Sequence, residues 1–333
     1  MNDRPVIVIG GSGFIGTCLV RHLHQRTNSQ VRIVDKVASR RFPSLTHVAD
    51  VRSLDALRAV VPEKSVVVNL AAEHRDDVSP KSLYDEVNVD GARNVCRVAN
   101  EKCIRTIVFT SSVAVYGFAP LGTSESGLIK PFNDYGRTKY EAEEIYRSWQ
   151  AEAPHERTLV VVRPTVVFGE QNRGNVYNLL RQIATGRFAM VGNGRNSKSM
   201  AYVENVAAFL EYALEFRPGV HTYNFIDKPD FTMEELVGTV SRLLGRASAI
   251  RVRIPFSVGY IIGKSCDMLA WFTGRKFAIS AIRVRKFCAD SVYESAIGRT
   301  GFVPPVTLAE ALERTVRFEF LEAHEHAEVF FSE

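Results

Sequence analysis

The sequence predicts an α/β fold in which a doubly wound parallel sheet is followed by a smaller C-terminal domain. Three observations predict it. Short, continuous apolar runs recur through the first half of the chain, which is typical of strands that are buried on both faces. Segments with helical apolar spacing separate these runs, and a parallel sheet requires such crossover connections. After Pro164 the pattern changes to a stretch rich in glycine and asparagine, which marks a second part of the molecule.

The individual elements follow from these patterns in chain order. Strands are predicted at 5–11, 31–35, 66–72, 106–112 and 159–164, and helices at 14–26, 83–102 and 134–152. Beyond the glycine-rich stretch, the spacing predicts helices at 203–217, 232–244, 255–273 and 307–320 and a strand at 221–226.

The chain of 333 residues has room for one large domain or two closely joined ones. No internal repeat and no low-complexity linker separates the two halves, so the second half is expected to pack against the first. We predict a first domain over 1–165, joined by 203–226, a second domain over 166–320, and an acidic tail over 321–333.

Composition excludes several classes of protein. A hydrophobic content of 46% and a charged content of 24% are ordinary for a globular domain and exclude a disordered or fibrous chain. No apolar run reaches the roughly 18 residues of a spanning helix, and no signal-peptide pattern is evident, so we expect a cytoplasmic protein. Five cysteines without a CxxC pair argue against a disulfide framework and a zinc site. His324-Glu325-His326 stands alone in the acidic tail, and no metal is predicted.

The positive charge of the chain is concentrated in one segment. The net charge of +5 does not by itself indicate a nucleic-acid partner. Between residues 246 and 299, however, ten lysines and arginines stand against three acids. This block fits an anionic ligand, a membrane surface or a solvated face. The apolar stretch 254–272 inside it is expected to pack in the C-terminal domain or at a dimer contact, and not on a membrane.

A glycine-rich turn follows the first strand and opens the first helix. The turn reads Gly10-Gly11-Ser12-Gly13-Phe14-Ile15-Gly16, and Asp35 ends the second strand. Glycines permit close backbone approach, the helix N-terminus favours a pyrophosphate, and the acid holds ribose hydroxyls. The pattern therefore predicts a Rossmann-type dinucleotide site. Asp35 favours NAD over NADP by repelling a 2′-phosphate, although Lys36, Arg40 and Arg41 offer positive charge nearby.

Three polar residues indicate alcohol–ketone chemistry beside the dinucleotide. Tyr135 and Lys139 are four residues apart and share one helix face. A nearby ammonium lowers the pKa of a phenol, which makes Tyr135 a better acid–base group. Ser112 follows a strand at the carboxyl edge of the sheet, where ligands of such folds bind. We predict that Tyr135 exchanges the proton, Ser112 orients the oxygen, and Lys139 holds the ribose.

These residues, in this order, resemble the extended short-chain dehydrogenase/reductase family, the nucleotide-sugar epimerases and dehydratases. The resemblance runs from about residue 5 to about residue 320. It rests on GGSGFIG, Asp35, Asp50-Val51, NLAA at 69–72, VNVDG, TSSVAVYG, YGRTK, VRPTVVFG and GNGRNSKSMAYVENVA. It implies NAD as the cofactor and a C-terminal domain that binds a nucleotide sugar. The further cofactor contacts that it implies are Phe14, Ile15, Lys36, Asp50, Val51, Ala71, Ala72, Asn88 and Pro164.

The same resemblance indicates how the substrate is bound. Dehydratases of the family carry an Asp-Glu pair after the catalytic hydroxyl residue, whereas Val113 and Ala114 stand here, so a 4,6-dehydratase is disfavoured. Lys198 occupies the place of a phosphate-binding arginine, and Arg283, with Arg285 close behind, is the second candidate. His74 and Asn172 are further candidates for substrate contact, although a surface histidine and a turn asparagine are the simpler interpretations.

We therefore expect an NAD-dependent 4-epimerase of a UDP-hexose or UDP-N-acetylhexosamine, acting as a homodimer. A 4-ketoreductase of a nucleotide 6-deoxy-4-keto-sugar would use the same residues, and the sequence separates the two poorly. A steroid-dehydrogenase-like enzyme is suggested by the apolar 254–272 stretch. A non-catalytic dinucleotide sensor is a further alternative, which the intact Ser112, Tyr135 and Lys139 set argues against.

Overall fold

The computed structural model describes residues 4–26, 30–75, 78–246, 250, 252–273, 280–324 and 328–331. Its strands are β1 (Val6–Ile9), β2 (Val31–Asp35), β3 (Thr46–Val48), β4 (Val66–Asn69), β5 (Thr106–Thr110), β6 (Thr158–Pro164), β7 (Val166–Phe168), β8 (Ala189–Val191), β9 (Ser197–Tyr202), β10 (Gly219–Phe225), β11 (Asp227–Thr232) and β12 (Val252–Ile254). Its helices are α1 (Phe14–Arg26), α2 (Leu54–Val60), α3 (Ser82–Tyr84), α4 (Gly91–Glu101), α5 (Asp134–Ala151), α6 (Asn175–Ala184), α7 (Val203–Tyr212), α8 (Met233–Leu243), α9 (Phe256–Thr273), α10 (Ala281–Cys288) and α11 (Leu308–Phe320).

Seven strands form one parallel sheet in the order β10-β6-β5-β4-β1-β2-β3. The order reverses direction at β1, which creates a crevice at the carboxyl edge of the sheet between β1 and β4. The predicted α/β doubly wound fold is therefore confirmed. Strand β10, from the 203–226 segment, joins this sheet beside β6, while the division of the chain near residue 165 stays a prediction.

The sheet is covered on both faces, as its continuous apolar strands predict. Along β1, Val6 and Val8 belong to one core cluster, and Ile7 and Ile9 belong to the other. Helices α1 and α7 contribute to the first cluster, and α2, α4 and α5 contribute to the second. The alternation follows from the two-residue period of a strand.

The second half of the chain adds two small sheets and a helical layer. Strands β11, β9 and β7 form one sheet, and β12 pairs with β8 in the other. Helices α6, α8 and α11 pack on one another, and α9 packs on α10. Within the described ranges, no helix combines the length and the apolar composition needed to cross a bilayer.

Most predicted helices and strands are present, and the differences lie in short or irregular elements. The single helix predicted over 83–102 is three pieces, because a π-helical segment, Asp85–Asp90, separates α3 from α4. The helix predicted at 203–217 consists of α7 followed by a 3₁₀ turn, Ala213–Glu215. Short elements such as β3 and α10 carry too few residues to show a period.

A buried ion pair ties helix α5 to the centre of the sheet. Arg163 on β6 and Glu143 on α5 are 3% and 0% exposed, and Nη2 and Oε2 are 2.5 Å apart. The Ser111 hydroxyl, after β5, donates to Glu143 Oε1 at 2.6 Å. Arg163 Nη1 donates to the Tyr116 hydroxyl at 2.7 Å, and Tyr116 donates to Asn224 Oδ1 at 2.8 Å. One network therefore joins β5, β6, β10, α5 and the turn after β5.

We expect Arg163→Met to lower the free energy of unfolding by about 3–5 kcal/mol, because it leaves the Glu143 carboxylate buried without its partner. Chemical denaturation measures this. Arg147→Met is the matched control, since Arg147 is 31% exposed and its Nη2 lies 3.6 Å from the same carboxylate. The control should lose less than about 1 kcal/mol. Equal losses in the two variants would contradict the account of the network.

Candidate active site

The glycine turn after β1 is shaped to accept a phosphate group. A Cβ at Gly16 would stand 2.5 Å from the Gly10 carbonyl oxygen, so α1 approaches the turn too closely for any side chain there. A Cβ at Gly13 would meet nothing nearer than that oxygen at 3.4 Å. Gly13 is exposed, and α1 begins at the next residue, with its first N–H groups available to an anion. The turn therefore fits a pyrophosphate at Gly13.

Asp35 lies at the end of β2, beside this turn. Its Oδ2 accepts the Ser12 N–H at 3.0 Å, and its Oδ1 accepts the Val37 N–H at 3.2 Å. These two bonds fix the carboxylate at the carboxyl edge of the sheet, where the ribose of a dinucleotide would lie. Lys36, Arg40 and Arg41 are exposed on the segment that comes next.

The segment after β4 forms the opposite wall of the crevice. Ala71 lies against Gly10, since a Cβ on that glycine would be 2.6 Å from the Ala71 nitrogen. Ala72 follows it, half-buried. Pro164, at the end of β6, is buried and pairs with Phe225 of β10. These residues stand at the strand ends where the sequence predicts the cofactor channel.

Asn88 lies within the π-helical segment and holds this wall in place. Its Oδ1 accepts the Glu73 N–H at 2.8 Å, and its Nδ2 donates to the Glu73 carbonyl at 3.0 Å and to the Thr138 hydroxyl at 2.9 Å. Because Asn88 is 4% exposed and its amide is fully bonded, it links the wall to α5 from beneath the channel. π segments of this kind are frequent at functional sites.

The outer part of the predicted cofactor site is formed by Asp50 and Val51. Val51 is buried against Gly91 at the start of α4. Asp50 binds the Arg52 guanidinium, with Nη2 and Oδ2 2.8 Å apart, and this bond lowers the pKa of Asp50 despite partial burial. Arg52 also contacts Glu86 at 3.2 Å. Asp50 therefore lines a polar surface recess together with Arg52 and Glu86, and Val51 lies buried next to it in the chain.

Ser112 and Tyr135 come together although 22 residues separate them, because α5 packs directly on the turn after β5. A Cβ at Gly136 would lie 2.4 Å from the Ala114 carbonyl oxygen, so only glycine permits this approach. Asn133 caps α5 by accepting the Gly136 N–H at 3.0 Å, which places Tyr135 in the first turn. The Ser112 hydroxyl is close enough to Tyr135 to lower the pKa of its phenol.

Burial dominates the electrostatics of the pair formed by Tyr135 and Lys139. Desolvation raises the pKa of Tyr135, and the Ser112 side chain opposes this shift. Desolvation also lowers the pKa of Lys139 to about 7, and the negative charge of Glu143 opposes that shift. The Lys139 Nζ lies 4.3 Å from the centre of the Phe109 ring. The predicted lowering of the Tyr135 pKa by Lys139 is therefore not seen in this structure.

Two of the predicted substrate contacts are used by the protein itself. The Lys198 ammonium donates to the carbonyls of Lys286 at 2.8 Å and Ala289 at 2.5 Å, and it lies 3.4 Å from the Ser291 hydroxyl. Burial lowers the pKa of Lys198 to about 8. These bonds hold the C-terminal end of α10, and the contact of Lys198 with a diphosphate stays a prediction.

Asn172 is also bonded within the chain, and its contact with substrate stays a prediction. It is buried, its Nδ2 donates to the Val167 carbonyl at 3.2 Å, and its backbone pairs with Phe330 near the C-terminus. It therefore shapes the loop after β7. His74 is exposed after β4, and Arg283 is exposed on α10, so their predicted contacts with substrate stay predictions. Of the histidine motif near the C-terminus, only His324 lies within the described residues.

Sequence reasoning missed the residues that hold the site together. Glu143, Arg163 and Thr138 are buried polar residues whose partners are distant in sequence. Gly136, next to Tyr135, was the one local indication of this packing. The sequence does not show that a glycine is needed there for the close approach to Ala114. The result is a crevice with an anion-accepting turn at one end and a Ser–Tyr pair beside a buried lysine at the other. Such an arrangement can bind a dinucleotide and transfer a proton at an alcohol or ketone oxygen.

The chain is similar to known proteins in sequence and in fold. The profile of the NAD dependent epimerase/dehydratase family matches residues 6–225. The chain is 45% identical over 335 residues to the N-acetyl-alpha-D-glucosaminyl-diphospho-ditrans,octacis-undecaprenol 4-epimerase of Escherichia coli O157:H7, with 100% of each chain covered. It is 24% identical to the UDP-glucose 4-epimerase of Vibrio cholerae, over 96% of this chain and 97% of that one. The solved UDP-glucose 4-epimerase of Thermotoga maritima shares the fold, with a TM-score of 0.74 and 20% identity over 96% of this chain and 100% of that chain.

We expect Gly13→Ala and Gly16→Ala to separate binding from folding. The Gly13 variant has room for its methyl group within the protein, so thermal unfolding should change little, while dinucleotide affinity should fall at least about tenfold because the pyrophosphate loses its close approach. The free energy of unfolding of the Gly16 variant should be lower by roughly 1–3 kcal/mol, because its methyl group overlaps the turn. A Gly13 variant that binds the dinucleotide normally would show that the pyrophosphate lies elsewhere.

We expect Asp35→Ala to weaken NAD binding and to reduce the preference for NAD over NADP. The carboxylate accepts hydrogen bonds from ribose hydroxyls and repels a 2′-phosphate. Titration of both cofactors against the variant and the unchanged chain measures this, and Asp55→Ala, an exposed acid on α2, is a control. If the preference persists in the Asp35 variant, the basic residues at 36, 40 and 41 decide it.

Proposed function

The chain belongs to the NAD dependent epimerase/dehydratase family, and on that premise we propose that it is an NAD-dependent 4-epimerase of an N-acetylhexosamine carried on a polyprenyl diphosphate. The observation that carries the proposal is the 45% identity, over the whole length of both chains, to the enzyme of Escherichia coli O157:H7 that acts on a sugar of this kind. The Ser112 and Tyr135 pair beside Lys139 supplies the chemistry that the reaction needs.

This proposal changes the substrate that the sequence predicts. A UDP-hexose or UDP-N-acetylhexosamine is expected from the family resemblance, whereas the 45% identical relative acts on a sugar joined through a diphosphate to a lipid. Both substrates present a hexose and a diphosphate, so the site chemistry is shared. The two differ in the group joined to the far end of the diphosphate, which is a nucleoside in one and a polyprenol chain in the other. Lys198, which the sequence predicts as a diphosphate contact, donates to two carbonyls of the chain itself in this structure.

The chain's own residues divide the proton chemistry between them. The glycine turn and Asp35 would hold NAD, which would supply the acceptor for the hydride of sugar C4 and the hydride that returns to the other face. Tyr135 takes the proton of the C4 hydroxyl and later gives one back to the same oxygen. Ser112 orients the C4 oxygen beside the hydroxyl of Tyr135. We assign to Lys139 the ribose of the cofactor; burial lowers the pKa of this lysine to about 7, and the negative charge of Glu143 opposes that shift.

The remaining candidates make different demands on this site. A 4-ketoreductase consumes a reduced cofactor in each turnover, whereas an epimerase returns it unchanged. A free nucleotide sugar as substrate is the second candidate, and the 24% identity to the UDP-glucose 4-epimerase of Vibrio cholerae favours it. A dehydratase lacks support because Val113 and Ala114 carry no acid or base. We further propose that the chain works in the cytoplasm, where NAD is available, and as a homodimer.

Direct comparison of two substrates tests the proposed function. The purified chain is incubated with catalytic NAD and either polyprenyl-diphospho-N-acetylglucosamine in detergent micelles or UDP-N-acetylglucosamine. The released sugars are then separated as C4 epimers. We expect the lipid-linked sugar to be converted at least about tenfold faster in kcat/KM, without added reductant. Faster conversion of UDP-N-acetylglucosamine would support the second candidate, and a requirement for stoichiometric NADH would support the ketoreductase.

We expect Tyr135→Phe to lower kcat by about 10²–10⁴-fold while leaving NAD affinity within about threefold of the unchanged chain. The substitution removes the group that exchanges the C4 proton and keeps the ring. Tyr140→Phe is the matched control, since Tyr140 lies on the same helix outside the predicted site. Near-normal turnover in the Tyr135 variant would remove that residue from the mechanism.

A further inference from the structure

Helix α9 packs on the rest of the chain through its small residues. A Cβ at Gly259 would lie 2.7 Å from Val191 Cγ1, and a Cβ at Gly263 would lie 2.7 Å from the Ala281 nitrogen. The two glycines are four residues apart and share one face of the helix. This face therefore rests directly on β8 and on the start of α10. The close approach leaves no room for larger residues and fixes which side of α9 faces outward.

The outward side of α9 is apolar. At about 100° per residue, all its large exposed apolar side chains except Phe256, the first residue of the helix, fall within an arc of about 120°, opposite the glycines. We call this arc the apolar stripe, and it consists of Val258, Ile261, Ile262, Met268, Leu269 and Phe272. Ile261 is 63% and Phe272 is 69% exposed. The expectation that the 254–272 stretch packs in the C-terminal domain or at a dimer contact stays a prediction for this side, and an exposed apolar surface of this kind marks a site of interaction.

Positive charge borders the apolar stripe. Lys264 lies on α9 at its edge, and the adjacent α10 contributes what we call the α10 cations, Arg283, Arg285 and Lys286. The two acids of this region are occupied by backbone groups. Asp267 Oδ2 accepts the Ala281 N–H at 3.1 Å, and Asp290 Oδ1 accepts the Ser197 N–H at 2.7 Å. The surface as a whole is thus apolar at its centre and positive at its edge.

This surface is continuous with the mouth of the active site. The Arg285 guanidinium lies 4.9 Å from the centre of the Phe118 ring, and the Lys286 Nζ lies 4.8 Å from that of Phe132. The two rings pack on each other with centroids 4.9 Å apart, and both are exposed. Phe118 and Phe132 belong to the segment between Ser112 and Tyr135. Helix α10 therefore connects the apolar stripe to the loop that follows the catalytic serine, and Lys198 anchors the end of that helix.

We propose that the apolar stripe and the α10 cations dock the protein on the surface of an anionic phospholipid bilayer. Helix α9 lies in the plane of the headgroups, with its stripe in the acyl boundary, and the cations meet lipid phosphates. The charge pattern decides for this occupant, because Lys264 beside the stripe and the cations of the adjacent α10 complement an anionic headgroup layer. The inference rests on the proposed function in one respect, namely that a sugar carried by a polyprenol is presented at such a surface.

Vesicle flotation tests the docking surface directly. The full chain is mixed with vesicles of phosphatidylethanolamine and phosphatidylglycerol, or of phosphatidylcholine alone, none of which contains a polyprenol. We compare the unchanged chain with Ile261→Ser/Leu269→Ser in the stripe. Val303→Ser/Leu321→Ser is the matched control, since these residues are 79% and 54% exposed elsewhere. Circular dichroism checks that each variant is folded.

We expect the unchanged chain and the control to float with anionic vesicles and to float poorly with phosphatidylcholine. The stripe variant should bind the anionic vesicles at least about tenfold more weakly. If the stripe variant fails to fold, Lys264→Glu is tested in its place, and we expect it to bind the anionic vesicles at least about fivefold more weakly than the unchanged chain. Equal flotation of the stripe variant, an equal loss in the control, or no flotation of the unchanged chain overturns the proposal.

A second copy of the chain is the competing occupant of the stripe. Light scattering after gel filtration tests for this occupant. The membrane assignment would be overturned if the unchanged chain were a dimer, the stripe variant were a monomer, and neither of them bound vesicles. The comparison of lipid-linked and nucleotide-linked substrates is independent of this test. A chain that floats but converts only UDP-N-acetylglucosamine would contradict the proposed function alone. A chain that converts lipid-linked sugar in micelles but does not float would contradict the docking surface alone.

Discussion

The ion pair between Arg163 and Glu143 is the interaction on which the active site depends. It lies between the sheet and α5 and is completed by Ser111 and Tyr116, so it fixes the helix that carries Tyr135 against the turn that follows β5 and begins at Ser112. Glu143 also favours the protonated form of Lys139, one helical turn away. Removing either partner leaves a buried charge alone, which is more costly than the pair is stabilising. The same contact thus sets both the position and the electrostatics of the catalytic group.

Features that depend on neighbouring residues could be predicted from the sequence, and features that depend on residues distant in sequence could not. The apolar strands, the glycine turn and the spacing of Tyr135 and Lys139 are local patterns, and they predicted the sheet and the components of the site. The π-helical turn at Asn88 could not be predicted, because its bonds go to Glu73 and Thr138, which are distant in sequence. The bonds of Lys198 to α10 could not be predicted for the same reason. A lysine in a phosphate-binding position looks identical in sequence whether it meets a ligand or the carbonyls of α10.

A lipid-linked substrate and a membrane-docking helix would explain one another. A sugar tethered to a polyprenol stays at the bilayer surface, so an enzyme held there meets its substrate in two dimensions. Helix α10 connects α9 to the loop that contains Phe118 and Phe132. With the proposed substrate bound, the α10 cations would lie near the diphosphate that joins the lipid to the sugar. The basic block of the sequence then serves the membrane and the substrate together.

The central claim is that one site removes and returns the same hydrogen at sugar C4 while Tyr135 handles the proton. Isotope retention at that carbon tests it most directly. Polyprenyl-diphospho-N-acetylglucosamine carrying deuterium at C4 is incubated with the chain and unlabelled NAD, and the C4-epimeric product is analysed by mass spectrometry. The account predicts that the product keeps its deuterium at C4 without any external reductant. Product that has lost the deuterium, or that forms only when NADH is supplied, would contradict it.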